Sequence, residues 1–326
     1  TMLKKFNYEN VVCFTYGRKS NPEIKISARV AQKLGYSWHY IEYSNEVIDN
    51  YIKESVFRDY YRFASNMVSM FFMQEYFAVK YLKEKEIIPP DSIFIPGHSG
   101  DFLGGSQLNK HGNLNLEEDD KAKVDRIFNV KYCYKKPSSK DKTKIILERI
   151  NRSLKEKYLG KNSLAYSIHE DWDFKEKLAK FNFNSVSTYT FFEYEFRLPF
   201  WDNELLDFFK YLPLHAKINK YLYDDILTNE YFAAYDLNFR EKMQITESDL
   251  KMLKIKKRIK KYLPESLKRL FMKTRDGLFY NEITAVMRKD MENQGVRIKI
   301  YGNSFNSLII QWYCYKVLEF LKENKS

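Results

Sequence analysis

Long apolar runs are missing from this 326-residue chain; none approaches the roughly 20 residues that span a bilayer. Glycine (11) and proline (8) are scarce, which excludes collagen-like repeats, low-complexity tracts and turn-dense β-sandwiches. Cysteine is scarcer still. Cys13, Cys133 and Cys314 are far apart and form no C-x-x-C pair, which argues against a disulfide framework or a zinc ribbon. No signal-peptide pattern opens the chain, so a reducing cytoplasm is the expected location.

Aromatic residues are abundant: 26 Tyr and 25 Phe supply enough apolar area for a sizeable core. The length suggests roughly two domains. The net charge of +12 is concentrated: Lys251 to Arg275 holds eleven basic residues and one acid, Glu265. The other 301 residues carry about +2, so nucleic acid is not expected as a partner of the chain as a whole. Thr1 to Phe6 reads as the last turns of a helix, which predicts a fragment of a longer chain.

Asn10 to Gly17 (NVVCFTYG) predicts a buried strand. Asn21-Pro22-Glu23 carries helix-start signals, Ile26, Val30, Ala31 and Leu34 form the apolar face, and Gly35 is the stop. Ser37 to Tyr43 (SWHYIEY) predicts the next strand, so a βαβ unit with parallel strands is expected. Asn45 to about Lys85 reads as helical, its Met- and aromatic-rich stretch as a buried helix packed on the sheet. Ser92 to Ile95 predicts a third strand. Asn109 to Asp120 reads as an exposed acidic loop, Pro137-Ser138-Ser139 as a turn, Phe191 to Asp202 as irregular, and Ser307 to Leu321 as a final apolar helix.

Three motifs could carry chemistry. The third strand runs into Pro96-Gly97-His98-Ser99-Gly100-Asp101-Phe102-Leu103-Gly104-Gly105. A Gly-rich turn there lets backbone N–H groups approach an anion, and Asp101 suits Mg²⁺, although a plain turn is an equally good reading of the residues alone. Glu195-x-Arg197-x-Pro199-Phe200-x-Asp202 embeds charges among aromatics, which predicts a pair with at least one partly buried member; by itself such a pair need only fix the fold. Lys217-Ile-Asn-Lys220-Tyr221-Leu222 follows Leu212-Pro213 and could bring a lysine to phosphate, a solvated lysine being the simpler reading in isolation.

The order and spacing of these motifs resemble the ATP-pyrophosphatase (synthetase) domain of asparagine synthase-like enzymes. Phe14-Thr15-Tyr16-Gly17 matches a strand that ends near the adenine. Ala28-Arg29-Val30-Ala31, Leu34-Gly35 and His39 are similar to A-R-x-V-A-x-x-L-G-T-x-H. Gly97 to Gly105 is similar to G-E-G-x-D-E-L-F-G-G with one residue fewer. Glu195 to Asp202 resembles E-x-R-x-P-F-L-D, and Lys220-Tyr221-Leu222 resembles K-[YW]-[LI]-L-R. The likeness spans roughly Asn10 to Leu227.

The resemblance implies an adenine-nucleotide-hydrolase-like (HUP) α/β fold: a parallel sheet flanked by helices, truncated at its first strand, with a mostly helical C-terminal half. It implies domains at 1–245 and 246–326, the second a helical extension. It also implies an ATP-dependent amide ligase that activates a carboxylate as its acyl-adenylate, releases pyrophosphate and passes the acyl group to an amine or ammonia. The implied cofactors are ATP and Mg²⁺, and the implied partners are a small-molecule carboxylate and an amine donor. Thr15, Tyr16, Pro96, Gly97, Ser99 and Gly100 would line the nucleotide, with Glu195 and Arg197 bracing the site. Asp101 would hold Mg²⁺ and pyrophosphate, and Lys220 would neutralise the leaving group. His98 would stand as a proton acceptor.

Several departures qualify these expectations. The family's S-G-G-x-D-S loop, which would precede Thr1, and its glutaminase domain are not among the 326 residues, so the chain by itself is not expected to turn over ATP. His98 replaces a family Glu, Phe102 an acid, and Asp224 an Arg. These changes turn the expected substrate away from aspartate and toward another carboxylate, such as a sugar acid or an amino-sugar derivative of a surface polysaccharide. The competing reading is a non-catalytic homologue that binds a partner or a membrane surface in polysaccharide biosynthesis. Met252, Ile255, Ile259 and Tyr262 recur at helical steps among Lys and Arg. That helix could adsorb to anionic lipid through Lys251–Arg275, the plainer reading being a solvated Lys-rich face.

Overall fold

The computed structural model describes residues 1–66, 69–108, 117–131, 139–237, 276–298 and 305–323. The chain is α/β and mostly helical, and among the described residues its strands form two separate parallel pairs. It divides into two compact units: Thr1–Ser44 with Asp225–Tyr280, and Asn45–Asp224 with Asn281–Ser326. The expected boundary at 245/246 lies outside the described residues, as does the basic segment 251–275.

The first unit holds α1 (Met2–Lys5) and the predicted βαβ element: β1 (Val12–Gly17), α2 (Glu23–Leu34) and β2 (Ser37–Glu42). β1 and β2 pair in parallel, with Val12 opposite Ser37 and Gly17 opposite Glu42. The Asn21 carboxamide accepts the Glu23 N–H at 3.0 Å, and Gly35 ends α2 in the left-handed region at φ 71°. Ala31 and Leu34 are buried on the predicted face.

The second unit begins its helices with α3 (Ser55–Ser65) and α4 (Tyr76–Glu84). The aromatic stretch between them is buried as predicted at Phe71 and Met73, but helix resumes only at Tyr76. Asn66, at φ 44°, ends α3; asparagine tolerates that left-handed conformation. Phe57 sits at the centre of the core, edge-on to Tyr51 (4.7 Å), Tyr76 (5.3 Å) and Phe71 (5.8 Å). Such edge-to-face pairs contribute about 0.5–1.5 kcal/mol each beyond area burial.

The third predicted strand is two residues long, β3 (Ile93–Phe94), followed by the short α5 (Gly100–Leu103). Next come α6 (Asp120–Lys131), α7 (Lys140–Lys155), α8 (Ala165–Asp173), α9 (Ser187–Phe191) and β4 (Glu195–Phe196). α10 (Asn203–Tyr211), α11 (Leu214–Lys217) and α12 (Tyr221–Ile226) follow, and α13 (Tyr280–Asn293) and α14 (Phe305–Glu323) end the described chain. α14 matches the predicted apolar helix. Val124, Ile127, Ile150, Leu154 and Ile168 join α6, α7 and α8 in a second core. Of the expected acidic loop, 109–116 lies outside the described residues, as do 137–138 of the expected turn; Ser139 caps α7 through the Lys142 N–H.

One expectation needs correction. β3 pairs with β4, not with the βαβ strands, among the described residues. The reason is local. Ile93 aligns with Glu195 and Phe94 with Phe196, while Phe94 stacks on Tyr189 at 4.4 Å, so the aromatic segment before β4 covers β3.

Candidate functional site

The second unit gathers all three motifs at the Gly-rich turn. The β3–β4 pairing carries the second motif alongside, and the Arg197 N–H donates to the Phe94 carbonyl at 2.8 Å. The Trp201 indole N–H donates to Ser99 Oγ at 3.1 Å, and Asp202 caps α10 by accepting the Glu204 and Leu205 N–H groups. The third motif, and Tyr223 just after it, pack closely on the glycines of the turn. A Cβ on Gly100 would lie 2.9 Å from the Tyr223 hydroxyl and 3.0 Å from the Phe200 ring. Gly105, at φ 90°, would place one 2.4 Å from the Lys217 carbonyl. Phe102 and Leu103 seal the turn against Phe200, Leu205 and Phe209.

The solvent face of the turn carries the charges. Asp101 is exposed; its Oδ2 accepts from Ser106 at 3.0 Å, and Oδ1 has no hydrogen-bond partner among the described residues. Lys220 Nζ is 3.0 Å from Asp224 Oδ1, both side chains being about one-third exposed. Burial, then the carboxylates of Asp224 and Asp101, push the Tyr223 hydroxyl above its ordinary value. Asp101, Asp224 and Lys220 therefore share one neighbourhood around Tyr223. Pro96 is half-buried and Gly97 is open to solvent.

Glu195 and Arg197 do pair, at 2.9 Å, but the expectation that one is partly buried is wrong: their side chains are 68% and 61% exposed. Residues two apart on a strand share a face, and on β4 that face is outward while Phe196 points the other way.

Behind the turn lies a buried polar network. The Tyr189 hydroxyl donates to Glu75 Oε2, and Glu75 Oε1 is 3.6 Å from His98 Nε2. Ser185 Oγ donates to the Asn182 carbonyl and is 3.0 Å from His98 Nδ1, so its lone pair accepts the Nδ1 proton. Both ring nitrogens of His98 are thus turned toward protein groups, which directs the expected proton acceptor inward. Nearby in sequence to Lys220, Lys217 is buried and bonded to Glu170 at 2.8 Å. Burial raises the Glu170 carboxyl above its usual range despite that lysine.

Thr15 and Tyr16 belong to the first unit. The Thr15 hydroxyl donates to Ser27 at 2.6 Å and accepts from Trp38 at 3.3 Å, so its hydrogen-bonding groups serve the βαβ element. Tyr16 stacks on Tyr43 at 5.4 Å.

Sequence reasoning missed Tyr223, Glu75, Ser185 and Glu170. Glu75 had a signal, a lone acid inside an apolar run; the others had none. Among the described residues no group of three or more His, Cys, Asp or Glu is arranged for a metal ion, and no helix is long and apolar enough to cross a membrane. No protein-family model matches the chain, and no curated protein matches it. The family likeness therefore rests on the motifs and their order.

Proposed function

We propose that this chain carries the pyrophosphate-facing part of the nucleotide site of a cytoplasmic, adenylate-forming amide ligase with a HUP-like fold. The observation that carries this reading is the meeting of three motifs, 97–105, 195–202 and 217–222, at one turn where Gly105 leaves no room for a Cβ against the Lys217 backbone. Unrelated surface turns have no reason to gather the family's motifs in this way.

The fit to the implied groups is good at Asp101 and weaker at Lys220. Mg²⁺ commonly takes one or two carboxylates and completes its shell with phosphate oxygens and water. Asp101 offers an oxygen with no hydrogen-bond partner among the described residues, on a carboxylate oriented by Ser106. Lys220 is already neutralised by Asp224. An ion pair this exposed contributes only about 0–1 kcal/mol, so a more highly charged phosphate can take the lysine from Asp224.

Mg-ATP, when bound, would supply the power to activate a carboxylate toward an amine, with pyrophosphate and AMP as the groups released. The chain's own part is positional. Asp101 would hold the metal, and Lys220 would offset charge on the pyrophosphate. The Trp201–Ser99 hydrogen bond and the Gly100–Tyr223 contact keep the turn rigid. Glu195 and Arg197 remain at the surface beside β3, where they can meet a substrate directly.

Thermal unfolding with and without Mg-ATP tests the proposal. A ligand that binds only the folded state adds roughly 2.7 kcal/mol at 100 times its Kd. A rise in Tm that Asp101→Asn and Lys220→Met each reduce supports it. No rise with a folded protein favours the second reading, a non-catalytic binding protein, for which the Lys220–Asp224 pair already speaks.

A further inference from the structure

A cavity of about 150 Å³ opens between α3 and α14, lined by Tyr61, Arg62, Ser65, Tyr313, Lys316, Val317 and Phe320. Its walls are mainly aromatic and aliphatic. The Arg62 guanidinium lies 5.0 Å from the Phe320 ring centroid and forms no ion pair among the described residues. Lys316 differs: Asp290 (3.2 Å) and Glu319 (3.1 Å) neutralise it. Tyr61, 8% exposed as a residue, lines the cavity, and its hydroxyl makes no hydrogen bond to a described residue. The Ser65 hydroxyl is taken by the Arg62 carbonyl at 3.2 Å.

An apolar cavity of this volume accommodates a benzene-sized body. An Arg fork matches a carboxylate, and a tyrosine hydroxyl at the same opening can donate to it. Tyr61 and Arg62 leave donors of both kinds at one opening, and the neutralised Lys316 adds no competing free cation.

We infer that this cavity is a binding site for a small aromatic or compact apolar carboxylate, its ring between Tyr313, Val317 and Phe320 and its carboxylate at Arg62 and the Tyr61 hydroxyl. The inference is independent of the nucleotide reading, because none of these residues belongs to the Gly-rich turn or its motifs.

Benzoate is the probe, benzamide its uncharged counterpart, and the readouts are saturation-transfer NMR and calorimetric titration on the full chain. Benzoate binds saturably and more tightly than benzamide. Arg62→Gln, at an exposed position, weakens benzoate by roughly tenfold or more and leaves benzamide nearly unchanged. Val317→Phe fills the cavity and abolishes binding of both while the thermal unfolding transition stays cooperative. Absence of saturable benzoate binding overturns the inference. Equal affinity for benzoate and benzamide, or indifference to Arg62→Gln, also overturns it and assigns the cavity to an uncharged occupant.

Discussion

The two sides of the Gly-rich turn handle charge in opposite ways. On the inner side, Lys217 with Glu170 and His98 with Glu75 are enclosed and bonded to each other or to hydroxyls. On the outer side, Asp101, Lys220, Asp224, Glu195 and Arg197 meet water. A buried charge that loses its partner is penalised heavily, whereas an exposed one recovers hydration. The inner side therefore determines whether the turn exists, and the outer side is where its charges can exchange partners. Lys217 and Lys220, three residues apart, fall on opposite sides of that division.

The largest effect is expected at Lys217. Lys217→Met strands Glu170 and costs about 3–5 kcal/mol at neutral pH, measured by urea unfolding. The loss depends on pH with a defined sign. Burial already holds the folded-state value of Glu170 above its unfolded value, near 4.3. As pH rises from about 4 through the folded value, the folded state must release a proton it prefers to keep, and stability falls. Removing Lys217 raises the folded value further, so the deficit of the variant shrinks as pH is lowered toward 5. Adding Glu170→Gln recovers most of it. A deficit that does not change with pH would show that Lys217 acts by packing alone.

Gly105→Ala comes next. Its φ of 90° and the 2.4 Å approach to the Lys217 carbonyl combine left-handed strain with overlap against backbone. The expected loss is about 2–5 kcal/mol, with a lower midpoint in thermal unfolding. A neutral result would break the account of how the third motif is held to the turn.

Tyr189→Phe is milder. It removes the hydrogen bond to Glu75 without removing the ring that stacks on Phe94. A loss of about 1–3 kcal/mol is expected. Ser106→Ala, on the outer side, removes a comparable hydrogen bond to Asp101 and should cost less than about 0.5 kcal/mol. Equal costs would erase the inner–outer distinction.

The same division explains what could be read from the residues. The βαβ element was legible because its signals are local: an apolar run, Asn21 before Pro22, Gly35 after Leu34, and a second run. The Gly-rich turn and Lys220 were legible as types and spacings. Their convergence was not, because it depends on Tyr223 filling the space above Gly100 and Gly104. The exposure of Glu195 and Arg197 was misjudged because flanking aromatics suggested burial, whereas strand alternation sends those aromatics inward and the charges out. The pairing of β3 with β4 joins residues about a hundred positions apart, and no local pattern encodes such a contact.

The sharpest test of the outer face is Asp224→Asn, which is also expected to change stability little. The Lys220–Asp224 pair is one-third exposed on each side, so its loss should alter stability by less than about 1 kcal/mol. Its effect on ligand binding should be larger. With Asp224 neutral, Lys220 keeps its charge and no longer has a carboxylate to leave, so a phosphate meets a free ammonium. Mg-ATP affinity, read by calorimetric titration, should rise several-fold, most clearly at low salt where the competing pair is strongest. Unchanged affinity would mean that Lys220 does not face the phosphates. Weaker affinity would mean that Asp224 itself helps to hold the metal beside Asp101, and the roles of the two carboxylates around Tyr223 would then be joined rather than opposed.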